Sequence, residues 1–188
     1  VRRPLSQVKA GGLLRAAAPA TVATVILSDV LGNDPRVIAS GPTVAGRPDP
    51  AAALEILERY GVSDAVPASV HQVLTDLSQA DPGDEPPPGI VTIVGDNNAA
   101  VDAAAEAARA DGYSVEVVWR EQVGEAADLG RAWVTLCHDD EGDAEVLLGG
   151  GEATVTVKGD GIGGRNTEFA LAAALEQQIG LLELEYER

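Results

Sequence analysis

The sequence predicts an α/β fold in which helices flank a parallel or mixed sheet, and three observations carry that expectation. Two near-continuous apolar runs, Thr21-Val-Ala-Thr-Val-Ile-Leu27 and Ile90-Val-Thr-Ile-Val94, each end in a polar turn. Such runs suit strands buried on both faces, as in a parallel sheet. Helical stretches follow each run, at 49–60 and 67–79 after the first and 99–110 after the second. Strand and helix then keep alternating toward the C-terminus, the order of βαβ units with one hairpin. The polar turns Ser28-Asp29 and Gly95-Asp-Asn-Asn98 fall at carboxyl ends of strands, where open α/β sheets bind ligands. The arrangement is Rossmann-like.

Taken in order, residues 6–18 read as a helix with Gly11 and Gly12 inside it. A glycine pair costs about 1 kcal/mol per residue in a helix and is tolerated where another segment packs very close. After the first strand, the long loop from Val30 to Pro48 carries Gly32-Asn-Asp-Pro35 and Ser40-Gly-Pro-Thr43. Long ordered loops at strand ends are often functional. Asp49 is a candidate N-cap for the next helix, with Pro50 at its first position and Gly61 just past its end. Residues 67–79 form a second amphipathic helix, and the breaker-rich 81–89 is a linker. Beyond the helix 99–110, Ser114 to Val118 is a strand and Gly124 to Cys137 a helix. The segments 145–148 and 152–158 read as strands on either side of a Gly149-Gly-Gly151 turn. The second of them alternates apolar with polar residues, the mark of a half-exposed or antiparallel strand.

Composition narrows the function. The 188 residues suffice for a real core, and a net charge of -17 argues against nucleic acid and anionic membranes, which require a basic face. Of 13 basic residues only Lys9 and Lys158 are lysines, and an acidic, lysine-poor surface suits concentrated salt, where self-repulsion is screened. Cys137 is the only cysteine, so no internal disulfide forms and a reducing cytoplasm is the default. Cys137, His71 and His138 lack ligand spacing and read as structural. No apolar run reaches the length of a membrane span, and no signal peptide appears. The chain has no methionine even at position 1, which reads as a trimmed start.

The stretch Gly159-Asp-Gly-Ile-Gly-Gly-Arg-Asn-Thr-Glu168 opens into a helical run. Glycines let backbone N–H groups approach an anion, and a helix start adds unpaired N–H groups and a positive dipole end. Arg165 beside that end is unfavourable unless an anion or carboxylate answers it. Gly159, Gly161 and Gly164 also satisfy G-x-G-x-x-G, with Glu183 placed for a ribose-binding acid, which is the signal for an oxidoreductase. The alternating strand before it weighs against that reading.

Several blocks together resemble the glycerate 2-kinase family, two-domain kinases whose C-terminal part is the MOFRL domain and whose members were often called hydroxypyruvate reductases. Leu27-Ser-Asp-Val-Leu-Gly-Asn-Asp-Pro35 with Ile38-Ala-Ser-Gly-Pro-Thr43 is similar to the family's SDV-GDDP-IASGPT block. Ser6-Gln-Val-Lys-Ala-Gly-Gly-Leu13 resembles S-x-x-K-G-G-x-L, and Val94-Gly-Asp-Asn-Asn98 resembles the IGSN turn. Gly150-Gly-Glu-Ala-Thr-Val-Thr-Val157 and Gly161-Ile-Gly-Gly-Arg-Asn-Thr-Glu168 are similar to GGETTVTV and GxGGRNQE. The blocks keep family order along nearly the whole chain. Ala10, Asn33 and Ala153 depart from the usual Gly, Asp and Thr. The family's N-terminal glycine-rich segment and lysine, and its C-terminal TDGIDG-T block, are not in this chain.

The resemblance implies that residues 1–80 are the C-terminal part of the N-terminal kinase domain, 81–89 a linker, 90–140 an α/β connecting segment and 141–188 the start of the MOFRL domain. It implies transfer of phosphate from ATP, with Mg²⁺, to the 2-hydroxyl of D-glycerate, giving 2-phosphoglycerate. An NAD(P)-dependent hydroxypyruvate reductase and an inactive core of the kinase are the alternatives. Arg165 would be the active-site arginine, able to clamp a phosphate or carboxylate at two points. Asp29 would bind Mg²⁺ or accept the hydroxyl proton, or else bond its own turn. Lys9 stands between phosphate contact and structural ion pair. Ser40, Gly41 and Thr43 would offer backbone and hydroxyl donors to phosphate or carboxylate, or else form an ordinary turn, and Gly95 and Asn97 would approach the nucleotide or form a left-handed turn closing a βα unit. Gly150, Glu152, Gly163 and Gly164 join the binding set through their blocks. Asn166 would cap the helix or contact ligand, and Glu168 would orient Arg165. Glycerate and ATP are the expected partners, and a homodimer stays open.

Overall fold

The computed structural model describes residues 1–80, 88–139 and 142–186, so the expected linker falls, for 81–87, outside the described residues. The chain forms two compact units, Val1–Asp96 and Asn97–Arg188. In the first, strand β1 (Ala23–Leu27) pairs in parallel with β2 (Ile90–Gly95), from Ala23 opposite Ile90 to Leu27 opposite Gly95. Both expected strands are present. Only one face of the pair is covered, however: Ile26 is 8% exposed while Val25 and Leu27 are 72% and 80% exposed. Burial on both faces is therefore not found, because among the described residues no helix packs against β1 or β2.

Between these strands, helix α2 (Pro50–Arg59) starts and stops as its residues dictate. Asp49 Oδ1 accepts the Ala52 N–H at 2.9 Å, Pro50 sits in the first turn, and Gly61 takes a left-handed φ of 63°. Helix α3 (Ala68–Gln79) packs on it through the core of Ala53, Leu57 and the fully buried Leu74.

Helix α1 is shorter than the expected 6–18, covering only Gly12–Ala17. Ala10 and Gly11 take left-handed φ values of 50° and 77°, which no right-handed helix contains. The close packing expected of the glycine pair is present. A Cβ on Gly12 would lie 1.9 Å from the Gln7 carbonyl oxygen, and one on Gly11 would lie 2.9 Å from that of Val44.

The second unit runs α4 (Asn97–Ala110), β3 (Val115–Glu125), α5 (Ala126–Asp139), β4 (Val146–Thr154) and α6 (Arg165–Tyr186). Strands β3 and β4 pair in parallel. The expected hairpin about Gly149-Gly-Gly151 is not formed; one strand runs straight through all three glycines. Crowding explains it. Cβ atoms there would meet the Trp133 ring at 2.7 Å, Val101 Cγ2 at 2.5 Å and the Gln122 carbonyl oxygen at 2.1 Å, in that order. Helices α5 and α6 approach through Gly130, whose Cβ would lie 2.4 Å from the Phe169 carbonyl oxygen. Among the described residues no helix is long and apolar enough to cross a membrane.

Candidate functional site

The first unit brings together the ends of its two strands. Ser28, just past β1, is 7% exposed, and its N–H donates to the Gly95 carbonyl at 2.9 Å. Asp29 beside it is exposed and has no hydrogen bond or ion pair among the described residues. Asn33, at a left-handed φ of 52°, donates from Nδ2 to Asp96 Oδ2 at 2.5 Å, tying the long loop to the end of β2. Asn tolerates that backbone well. A Cβ on Gly95 would lie 2.7 Å from Leu27 Cδ1, the end of an exposed side chain that can turn aside, so packing alone does not require this glycine.

The loop 39–46 packs against the segment 8–14. Lys9 Nζ donates to Ser40 Oγ at 3.3 Å, the Ala10 N–H to the Ser40 carbonyl at 3.0 Å and the Gly11 N–H to that of Gly41 at 2.8 Å. The alternative of an ion pair for Lys9 is not what the side chain makes here; its partner is a hydroxyl. Ala39, Ser40 and Gly41 are all left-handed, at φ of 50°, 67° and 61°. Such strain concentrates at binding loops. Two expectations need correcting. The Ser40 and Gly41 N–H groups are already bonded to the Val37 and Ile38 carbonyls, so they are not free donors for phosphate. Thr43 is buried, its hydroxyl accepting from Thr24 Oγ1 at 2.8 Å, which makes it a bolt between loop and strand.

In the second unit Arg165 is the first residue of α6, where its charge opposes the helix dipole. The Glu152 carboxylate on β4 answers it by accepting from Arg165 Nη1, which also reaches the Ala153 carbonyl at 3.4 Å. The orienting acid is thus Glu152 and not Glu168, which carries no salt bridge to Arg165. Asn166 does not cap the helix. Thr167 does, its Oγ1 accepting the Gly164 N–H at 2.8 Å and donating to the Gly164 carbonyl at 2.7 Å.

Gly150 leaves room for Asn97, whose Oδ1 would lie 2.6 Å from a Cβ there, so these two predicted residues do meet, through packing. Asn97 Nδ2 is buried without a partner, and Asn98 Nδ2 donates to Glu121 Oε1 at 3.1 Å. The glycines of the loop before α6 differ. Gly159, Gly161 and Gly164 have nothing within 4 Å of a Cβ, and none has a left-handed φ. The loop, with Lys158, Gly163 and Glu168, lines a cleft of about 450 Å³. Neither packing nor backbone strain accounts for these three glycines.

The dinucleotide fingerprint does not hold geometrically. Strand β4 ends at Thr154, several residues before Gly159, and Glu183 lies within the same helix α6 instead of at the end of a following strand. Among the described residues no group of three or more His, Cys, Asp or Glu is arranged to hold a metal. The sequence reading missed Trp119, Trp133 and Gln122, which line a cavity beside Asn166. Two tryptophans in so aromatic-poor a chain were the available signal.

Residues 1–75 match the model of a domain of unknown function, DUF4147, and residues 145–185 match that of the MOFRL family. A "Putative hydroxypyruvate reductase" of Agrobacterium vitis is 40% identical, over 96% of this chain and 43% of that protein. A "D-glycerate 2-kinase" of Thermotoga maritima is 34% identical, over 93% of this chain and 42% of its own length. The crystal structure of a glycerate kinase from Thermotoga maritima superposes with a TM-score of 0.73 at 35% identity, covering 94% of this chain and 42% of that one. The chain thus spans less than half the length of these relatives. Two family models in chain order and relatives aligned along nearly its whole length lead to one conclusion: the chain belongs to the glycerate 2-kinase family that carries the MOFRL segment.

Proposed function

We propose that this chain is part of a kinase that phosphorylates D-glycerate at its 2-hydroxyl with ATP. The observation that carries the reading is Arg165, half-exposed and held by Glu152, at the mouth of a glycine loop that packing does not explain. In the reaction the glycerate hydroxyl oxygen bonds to the γ-phosphorus, the bond to the β-phosphate's bridging oxygen breaks, and ADP leaves. Arg165 counters charge on the moving phosphoryl group, and the glycine loop and start of α6 receive the phosphates. Asp29, an unpartnered carboxylate at the end of β1, takes the hydroxyl proton or serves as the protein's ligand to Mg²⁺. The donor set fits magnesium, which habitually binds one or two carboxylates plus substrate phosphates. When bound, the ion neutralises phosphate charge. Lys9 and Ser40 form the polar contact for phosphate or the glycerate carboxylate.

The protein works in the cytoplasm, in line with its lone cysteine, and its acidic, lysine-poor composition suits high salt. The test is to supply D-glycerate with ATP, and separately hydroxypyruvate with NADH. Phosphorus NMR should show 2-phosphoglycerate and ADP in the first; NADH oxidation without ATP consumption in the second would overturn the reading.

A further inference from the structure

Beside Arg165, the second unit holds a half-open cavity of about 280 Å³ that none of the preceding roles uses. Its walls are Trp119, Trp133, Leu129 and Phe169, its floor is the backbone of Gly149, Gly150 and Gly151, and its polar residues are Gln122 and Asn166. The two indoles meet edge to face, centroids 5.0 Å apart at 68°.

Two features mark the cavity as built. Trp119 and Gln122 are three apart, so a regular pleat would send them to opposite faces. They line one cavity because β3 carries an extra residue here: Trp119 pairs with Gly149 and Gln122 with Gly151, so Arg120 and Glu121 stand against Gly150 alone. Glu121 pays for that bulge with a left-handed φ of 52°. Bulges that re-aim side chains collect next to binding sites. The second feature is polar. The side-chain amides of Gln122 and Asn166 have no hydrogen-bond partner among the described residues.

We infer that this cavity binds the purine base of the nucleoside triphosphate, with the phosphates running out toward Arg165 and the glycine loop. The inference rests on the kinase reading for the identity of the ligand. A flat base stacks on an aromatic wall, while amides read its polar edge. The volume is just below the usual range for whole ligands, which suits a base with the rest of the nucleotide outside. Glycerate, small and fully polar, has no use for such walls. Direction follows from the chain: Asn166 in the cavity adjoins Arg165, and Ala153 on its wall accepts from the guanidinium.

The chain has only two tryptophans, both in the cavity wall, so their fluorescence reads the site directly. Adenosine, tripolyphosphate and ATP are titrated separately into the protein. Adenosine should change the emission saturably and tripolyphosphate should not. Asn166→Ala and the near-isosteric Gln122→Glu should each weaken adenosine about fivefold or more, with thermal melts confirming that both fold. Arg165→Ala should weaken ATP and leave adenosine unchanged. Adenosine that never saturates, or that binds both variants as well as the parent, overturns the assignment. If adenosine binds but glycerate is never phosphorylated, the kinase reading falls and the base pocket stands. If glycerate is phosphorylated while adenosine is silent, the pocket falls and the kinase stands.

Discussion

Glu152 on β4 accepts a hydrogen bond from Arg165 at the first position of α6, and so neutralises a cation placed against the positive end of a helix dipole. Both side chains stay partly exposed, at 37% and 50%, so the pair adds under about 1 kcal/mol to stability. Its effect lies in holding the guanidinium still. Arg165→Ala should therefore leave the melting temperature nearly unchanged and lower glycerate phosphorylation by about 10²–10³-fold, as removal of a charge-stabilising donor does. Arg165→Lys should restore little, because an ammonium lacks the two-point geometry. Steady-state kinetics on both variants check this; wild-type turnover in Arg165→Ala would remove Arg165 from the mechanism.

Ala10 is the residue whose replacement should stabilise the protein. It is 1% exposed and left-handed at φ 50°, with its N–H fixed to the Ser40 carbonyl. An L-residue with a Cβ is strained there by about 1–2 kcal/mol, and glycine is not. After the entropy that glycine adds to the unfolded chain, Ala10→Gly should gain about 0.5–1 kcal/mol. Chemical denaturation reads it, and a loss of stability would show that the Cβ contributes more through packing than it costs in strain.

Asp34 supplies the pH dependence. The Arg36 guanidinium donates to it at 2.9 and 3.0 Å and the Arg36 N–H at 2.9 Å, holding the carboxyl below its ordinary value. A carboxyl depressed in the folded state stabilises above its unfolded value of about 3.9, and the contribution fades as pH falls through the lower folded value. Carbon NMR titration should place Asp34 below the ordinary aspartate value, and Arg36→Ala should raise it toward that value. Asp34 titrating at the ordinary value in the parent protein would contradict the pairing.

Local signals were legible where cause and effect lie within one turn. Asp49, Pro50 and Gly61 bounded α2 because capping needs only adjacent residues. The apolar runs at 21–27 and 90–94 marked two strands by the same local rule; the strands do pair in parallel, but with only one face covered, since what covers a face is distant in the chain. Gly149, Gly150 and Gly151 were misread as a turn, since what demands them, Trp133, Val101 and the Gln122 backbone, is distant in the chain. The Glu152 partner of Arg165 was hidden likewise. Glu168 was nearer in sequence, yet only the parallel path of β4 brings Glu152 to the helix start.

The acidic surface should make stability depend on salt. A net charge of -17 on 188 residues repels itself in the folded state, and screening shortens the reach of that repulsion from about 30 Å at 0.01 M to about 3 Å at 1 M. The melting temperature should climb from low to molar KCl, with most of the rise complete once screening is shorter than the spacing of surface charges. A flat response would mean that the carboxylates are already balanced locally, as Asp102 is by Arg120 and Asp128 by Arg131.

The two glycine runs should separate cleanly by mutation. At Gly151 an added Cβ would lie 2.1 Å from the Gln122 carbonyl oxygen and 2.7 Å from its nitrogen, backbone atoms that cannot rotate aside. Gly151→Ala should thus cost about 1–3 kcal/mol or more by forcing β3 and β4 apart. At Gly161 a Cβ meets nothing and the backbone needs no left-handed φ, so Gly161→Ala should leave the melt unchanged. If the loop receives phosphates through close backbone approach, that same methyl should still weaken ATP, because it occupies the space the anion needs. Melts paired with ATP titrations of both variants decide it. Gly161→Ala that is stable and binds ATP normally would reduce the loop to a connector, and leave Arg165 and the start of α6 as the second unit's phosphate contacts.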